Sequence, residues 1–312
     1  MKKCLKCGIR TNIYIPQHRL ALCPEHYINW FEARTQRTIE EFKMFQKTDR
    51  ILVAVSGGKD SLSLWNVLVK LGYEADGLHI NLGISEYSEI SEIKTRNFAQ
   101  RIGRKLHIVD LGRDFGRTIP QIKENERRPP CSFCGTLKRY YMNLYAREYG
   151  YNVLATAHNL DDEVSVLMLN TLSWNIEYLS RQFPVLPEEN GFARKVKPFC
   201  KMSEKEAAMY AVLAQIDYIE DECPFAEGST TLHYKKLISQ LEEKSPGTKL
   251  RFYSEFLSKM YPVIKDRRPK TSINRCKSCG EPTQSEICMI CRMRNNLLYG
   301  KLQTSTDKAD NP

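Results

Sequence analysis

The chain has 312 residues, 42% hydrophobic and 27% charged, a globular composition with room for one large domain or two ordinary ones; it excludes a disordered or fibrous chain. No apolar run reaches the ~18 residues that a membrane helix needs, and no apolar stretch follows the basic start Met1-Lys2-Lys3-Cys4, so a cytoplasmic protein is expected. Lys plus Arg number 47 against 37 for Asp plus Glu, a formal net charge of +10, which suits either simple solubility or a polyanionic partner.

The chain opens on Cys4-x-x-Cys7, fifteen residues, then Cys23-x-x-His26. In a reducing compartment, paired cysteines at this spacing bind metal or do redox chemistry rather than brace the fold. Cys4, Cys7, Cys23 and His26 have the number and loop length of a zinc ribbon or finger.

From about Ile51 to Glu222, short apolar runs alternate with amphipathic stretches. Arg50–Ser56 reads as a buried strand, Ser61–Leu71 as a helix, Glu74–Ile80 as a second strand and Ile90–Ile102 as a helix. Lys105–Asp110 is a third strand and Cys134–Tyr149 an amphipathic helix. A fourth strand over Asn152–Thr156 and helices over Asp161–Leu172 and Ser203–Gln215 follow, the last opened by a capping box, Ser203-x-x-Glu206. Asp217–Glu220 is assigned as a last short strand. This alternation predicts an α/β fold, a doubly wound parallel sheet with helices on both faces. Thr231–Ile264 reads as helices broken at Pro246-Gly247, and Gln303–Pro312 as a disordered tail.

Strand 1 runs directly into Ser56-Gly57-Gly58-Lys59-Asp60-Ser61 and a helix. Glycines permit a tight turn and close backbone approach, the helix N-terminus offers free N–H groups to an anion, and Lys59 adds charge. Asp60 stands where a Walker A loop has Ser or Thr. The sequence SGGKDS resembles the PP-loop of the N-type ATP pyrophosphatase superfamily. Two further segments fall at the carboxyl edge of the expected sheet, where ligands of doubly wound folds collect. Leu78-His79-Ile80 can offer backbone groups to an adenine edge. Ala157-His158-Asn159-Leu160-Asp161-Asp162-Glu163 puts acids at a helix start, either to favour the helix dipole or, through Asp162 with Asp60, to hold magnesium or phosphates.

Pro129-Pro130-Cys131-Ser132-Phe133-Cys134-Gly135 follows strand 3 and reaches the same edge; Cys223 lies far downstream. Three thiolates at one site leave one corner open, as in a [4Fe–4S] cluster with one iron free for an exogenous ligand. A redox dithiol, a zinc site with a fourth ligand and an inert buried pair are the alternatives. Cys200 reads as a core residue. Near the C-terminus, Cys276-x-x-Cys279, eight residues and Cys288-x-x-Cys291 make a second compact set of four zinc ligands. Arg127 and Arg128 precede the cysteine loop, and Arg267 and Arg268 lead into this last knuckle; they are solvated charge or phosphate contacts.

Together, SGGKDS, Cys131-x-x-Cys134 with a distant Cys223, and cysteine knuckles at both ends resemble the TtcA/TtuA family of ATP-dependent tRNA thiolases over nearly the whole chain. The paired knuckles and Lys138 after the CxxC favour the TtuA branch. The resemblance implies tRNA 2-thiolation at C2 of (5-methyl)uridine 54 in the T loop, through an adenylated base and a sulfide bound to the [4Fe–4S] cluster. It implies ATP contacts at Ala54, Ser56, Gly57, Gly58, Lys59, Asp60, Ser61, His79, Ile80, Gly135, Ala157 and Asp162, with Mg²⁺ on Asp60 and Asp162. Asp60, Lys138 and Asp162 become the catalytic residues, Cys131, Cys134 and Cys223 the cluster ligands, and each knuckle holds one of two Zn²⁺. The implied partners are tRNA, a ubiquitin-like sulfur carrier with a C-terminal thiocarboxylate, and a second copy in a homodimer, with no membrane.

The expected organisation is an N-terminal zinc finger over 1–30, the PP-loop catalytic domain with the iron–sulfur site over 31–228, a helical segment over 229–270, a zinc knuckle over 271–300 and a tail over 301–312. Rival readings are thiolation of wobble uridine 34 or cytidine 32, another PP-loop enzyme such as an amide or lysidine synthetase, and a non-catalytic zinc-knuckle RNA-binding protein. Iron content and ATP binding separate the last two from a thiolase.

Overall fold

The computed structural model describes residues 1–124, 128–226, 230–267 and 272–295. A six-stranded sheet forms its centre: β1 (Ile51–Ala54), β2 (Ala75–Asn81), β3 (Leu106–Asp110), β4 (Val153–Ala155), β5 (Val185–Leu186) and β6 (Arg194–Val196). Their spatial order is β3-β2-β1-β4-β6-β5. All neighbours are parallel except β5, which runs antiparallel to β6. The chain steps outward from β1 to β3 and then returns to lay β4 on the other flank of β1. That reversal opens a crevice at the carboxyl ends of the central strands, the usual ligand site of such sheets.

The sequence of β1 explains its place. Side chains alternate across a strand: Ile51, Val53 and Val55 enter one apolar layer, and Leu52 the other. Both faces are covered, so the strand is apolar without interruption. The first layer carries α1 (Pro24–Glu41), α2 (Lys59–Lys70), α3 (Ser85–Ile102), α5 (Leu160–Leu172) and α6 (Glu204–Leu213), with Phe31, Trp65, Phe98, Val164 and Tyr210 among its buried residues. Opposite them lies α4 (Pro130–Glu148), packing Phe133, Leu137 and Tyr141 beside Leu52, Leu78 and Leu154. Gly77 on β2 lets the Trp65 indole lie against the strand: a Cβ there would stand 2.5 Å from the ring. Beyond α6, α7 (Thr230–Lys244) packs along α5, and α8 (Thr248–Glu255) follows the expected break.

Three local expectations change. Helix α4 begins at Pro130, ahead of the expected Cys134, because proline is preset for a first helical turn; Cys131 and Cys134 therefore lie on one helical turn. Asp217–Glu220 is not a strand: the Ile219 N–H donates to Gly57 O at 3.0 Å and backs the phosphate loop. The remaining parallel strand is instead Arg194–Val196, too short and too charged to read as one. The Ser203 capping box forms in both directions. The tail from Gln303 lies outside the described residues.

Candidate active site and metal centres

The phosphate loop joins β1 to α2, whose N-terminal cap is Gly58. Gly57 has φ +80°, and a Cβ there would stand 2.6 Å from Ser91 O, so both conformation and space require glycine. The Ser61 hydroxyl accepts from Ser56 N–H at 3.1 Å and donates to Gly58 O at 3.0 Å, fixing the loop's curl. Lys59 Nζ reaches Asp60 at 3.2 Å and Glu204 Oε1 at 2.9 Å.

Three consecutive acids at the start of α5 take three directions. Asp161 is buried on Lys249. Glu163 pairs with Lys197 at 2.8 Å. Asp162 faces the loop: its Oδ2 accepts from Asn159 N–H at 3.1 Å, closing the helix cap, and its Oδ1 accepts from Lys235 Nζ at 2.9 Å. Helix capping and a site role therefore coexist in one carboxylate. Lys235 on α7 also holds Glu204 Oε2 at 2.9 Å. Burial pushes the Glu204 carboxyl up, but Lys235 and Lys59 overcome it and hold it at about 2. Asp60 moves the other way: burial raises it, Lys59 opposes, and Glu204 and Asp162 add to the rise. Its Oδ1 is buried without a hydrogen-bond partner among the described residues. An orphaned carboxylate oxygen near a second carboxylate fits a divalent cation, which takes oxygen ligands. Sequence reasoning missed Glu204 and Lys235; one sits inside a capping motif and the other on a helix with no motif.

A cavity of about 90 Å³ opens at the ends of β1 and β2, and Ala54, Ser56, His79, Ile80, Tyr87 and Lys138 are among its walls. The His79 Nδ1–H donates to Val55 O at 3.0 Å, leaving Nε2 buried without a partner among the described residues. Burial lowers the ring's affinity for a proton, so Nε2 is an unused acceptor. Lys138 connects this cavity with the cysteines. Burial raises the Cys134 thiol, Lys138 pulls it down, and the Cys223 and Cys131 sulfurs raise it further. Cys131 is exposed and donates to Phe225 O at 3.2 Å. The donor set is all sulfur. Of the eleven cysteines, seven belong to the terminal knuckles and Cys200 is fully buried, leaving these three. Three cysteines with no further thiol suit a cluster that keeps one iron open. Of the other expected contacts, Gly135 lies under the Arg139 guanidinium and Ala157 packs half-buried on the core.

At the N-terminus, the ligand atoms of Cys4, Cys7, Cys23 and His26 lie within 4.8 Å of one another, and so do those of Cys276, Cys279, Cys288 and Cys291. Cys7 Sγ and Cys23 Sγ are 3.8 Å apart, Cys279 Sγ and Cys288 Sγ 3.7 Å. The edge of a tetrahedron with zinc–sulfur arms is about 3.8 Å, so both sets fit one zinc ion. His26 presents Nδ1, 3.1 Å from Cys23 Sγ. The two knuckles turn alike: Gly8 N–H donates to Cys4 O at 2.9 Å and Gly280 N–H to Cys276 O at 2.8 Å. The second docks on α4 through Glu281, whose Oε2 accepts from Asn143 Nδ2 at 2.8 Å. Arg128 donates to Met289 Sδ at 3.7 Å, and Arg267 is exposed at the end of a 3-10 turn. Arg127 and Arg268 lie outside the described residues.

A PP-loop domain model matches residues 31–226, and a model of the N-terminal LIM domain of the 2-thiouridine synthetase TtuA matches residues 3–28. The tRNA-5-methyluridine(54) 2-sulfurtransferase of Thermus thermophilus is 46% identical over 93% of this chain and 90% of its own. That of Pyrococcus horikoshii is 46% identical over 93% of each chain. In fold, the chain superimposes on the U34-tRNA thiolase NcsA from Methanococcus maripaludis, solved with its [4Fe-4S] cluster, with a TM-score of 0.78, 24% identity and coverage of 95% and 97%. With a phosphate loop, a thiol trio and two knuckles in one frame, and near-half identity along almost its full length, the chain belongs to the PP-loop family of tRNA thiolases and, within it, to the tRNA-5-methyluridine(54) 2-sulfurtransferases.

Proposed function

We propose that the chain activates C2 of 5-methyluridine 54 in the tRNA T loop with ATP and exchanges its oxygen for sulfur. The observation that carries this is Lys138, which lines the cavity beside the phosphate loop and acts electrostatically on Cys134. Nucleotide and sulfur chemistry thereby meet at one side chain.

ATP lies with its phosphates on the Gly57–Ser61 turn and the N-terminus of α2, where free N–H groups favour an anion. Its adenine enters the cavity, and the orphaned His79 Nε2 matches an amino donor. Asp60 and Asp162 would hold Mg²⁺, which would offset phosphate charge. The uridine O2 attacks the α-phosphorus, the bond to the bridging oxygen breaks and pyrophosphate leaves. Adenylation turns a poor leaving group into a good one, so incoming sulfur adds to C2 and AMP departs with the former O2. Lys138 stabilises charge on the α-phosphate while this happens. When bound by Cys131, Cys134 and Cys223, a [4Fe–4S] cluster supplies an iron without a protein ligand, at which the sulfur atom can be held. A base inside a folded loop is extruded to reach such a site.

The two knuckles each hold Zn²⁺, and zinc supplies folding energy that such small modules lack. The proposed domains are zinc modules at 1–30 and 271–300, a catalytic unit at 31–228 and a helical segment at 229–270. Arg127, Arg128, Arg267 and Arg268 contact tRNA phosphates, in keeping with the +10 charge. The sulfur comes from a ubiquitin-like carrier whose C-terminal thiocarboxylate is hydrolysed at its C–S bond, which releases hydrosulfide and leaves a carboxylate, and exposed Cys131 marks its approach. Leu172, Trp174 and Tyr178, 60–69% exposed, support a homodimer. Among the described residues no helix is long and apolar enough to cross a membrane. Nucleoside mass spectrometry of tRNA from cells lacking the chain tests the reading. The expected result is loss of sulfur from position 54 alone; loss at uridine 34 or cytidine 32, with position 54 intact, overturns it.

A further inference from the structure

We infer that Lys235 is a pyrophosphate-binding residue of the adenylation site, delivered by a helix outside the PP-loop domain; this rests on reading the Gly57–Ser61 loop as the ATP site. The matched domain ends at residue 226, and Lys235 comes from α7, beyond it. Glu204 carries one ammonium on each oxygen: Lys59 on Oε1 and Lys235 on Oε2, both at 2.9 Å. Two cations thus stand side by side at the N-terminus of α2, where an anion is already favoured.

Lys235 is also the partner of Asp162 Oδ1, the oxygen left over from the helix cap. Among the described residues, Asp60, Asp162 and Glu204 are three carboxylates against two ammonium groups, and Asp60 Oδ1 stays buried and unpaired. The cluster is therefore one cation short, and a divalent ion on Asp60 and Asp162 completes it. That ion competes with Lys235 for Asp162. A lysine head on a flexible four-carbon stem can then turn to a phosphate oxygen without any movement of its helix. Glu204 keeps hold of the other side of the ammonium and aims it. A purely structural role for the ion pair is unnecessary, because buried Ile238 already seats α7 in the main core. In the reaction, the β- and γ-phosphates gain charge as the α–β bond breaks, and Lys59 and Lys235 together receive it.

Isothermal titration of the metal-loaded full chain with magnesium pyrophosphate, and separately with AMP, tests this. Lys235→Met should weaken pyrophosphate binding roughly tenfold or more, the scale of one charge-assisted contact, and leave AMP binding unchanged. Lys235→Arg should recover part of it, and it carries the test if the methionine variant does not fold. A helix-seating role predicts instead that both ligands weaken together. Equal pyrophosphate affinity in wild type and both variants, or a parallel loss of AMP binding, overturns the assignment of Lys235 alone. A wild-type chain that binds neither ligand overturns the ATP-site reading and this inference with it.

Discussion

Asn143 and Glu281 meet in the interior: Asn143 Nδ2 donates to Glu281 Oε2 at 2.8 Å, with both side chains almost fully buried. Asn143 also accepts from Ala193 N–H at 2.9 Å. It lies on α4, the helix that carries Cys131, Cys134 and Lys138, and Glu281 follows the first pair of the C-terminal knuckle. The knuckle is thus fastened to the helix that carries these three side chains, and Tyr140 of that helix lies against the knuckle sulfurs of Cys279, Cys291 and Cys288.

Asn143→Ala leaves a buried carboxylate oxygen and a backbone N–H unsatisfied, which should cost about 1–3 kcal/mol. Thermal unfolding should show a lower midpoint, with zinc content unchanged in the folded protein. An unaltered midpoint would mean that the Arg147–Glu281 ion pair and the apolar contacts seat the knuckle without Asn143.

Cys4→Ser and Cys288→Ser should each reduce bound zinc from two ions to one and lower thermal stability more than they slow chemistry. Metal analysis by mass spectrometry checks this. Two zinc ions retained in a stable variant would show that the ligand set differs.

Lys138→Ala should leave the cluster spectrum and tRNA affinity nearly intact but reduce thiolation roughly a hundredfold, the scale of losing one group that stabilises developing charge. Lys138→Arg should restore part of the rate, since charge is kept while shape changes. Absorbance of the anaerobic protein, filter binding and a thiolation assay separate these readouts. If the alanine variant released pyrophosphate at the wild-type rate, Lys138 would belong to sulfur delivery instead.

The ion pairs of Glu204 carry a pH signature. Its carboxyl is held at about 2, below the ordinary value of 4.5, by Lys235 and Lys59 acting against burial. A depressed carboxyl favours the folded state above its unfolded value and loses that effect as pH falls towards the folded one. The gap in unfolding midpoint between wild type and Glu204→Gln should therefore be full at pH 6 and close from about 4.5 towards 2. The effect is modest, because Glu204 remains 36% exposed and solvent screens it. A gap independent of pH would show that the substitution acts through packing.

Much of this was legible from residues alone because local chemistry dictated it. A strand buried on both faces must be apolar, a phosphate loop needs Gly57 at positive φ, and four zinc ligands need short fixed spacings. What stayed hidden depends on distant partners. In the sequence Glu204 is one acid in a helix start and Lys235 one lysine among many; only the packing of α7 lays one on the other. Asp161, Asp162 and Glu163 are equivalent in a sequence, and only the packing of Lys249, Lys235 and Lys197 sends each its own way. The short strand Arg194–Val196 gained its place from pairing with Val153–Ala155, not from its own residues.

In the proposed reaction ATP activates the tRNA base before sulfur arrives. This order is tested most directly by following pyrophosphate released from ATP by the metal-loaded protein with tRNA present and every sulfur donor withheld. The expected result is a burst of pyrophosphate that requires both the tRNA and Asp60, and that stops once the bound tRNA is adenylated. Absence of pyrophosphate until a sulfur donor is added, or release that does not depend on tRNA, would contradict it.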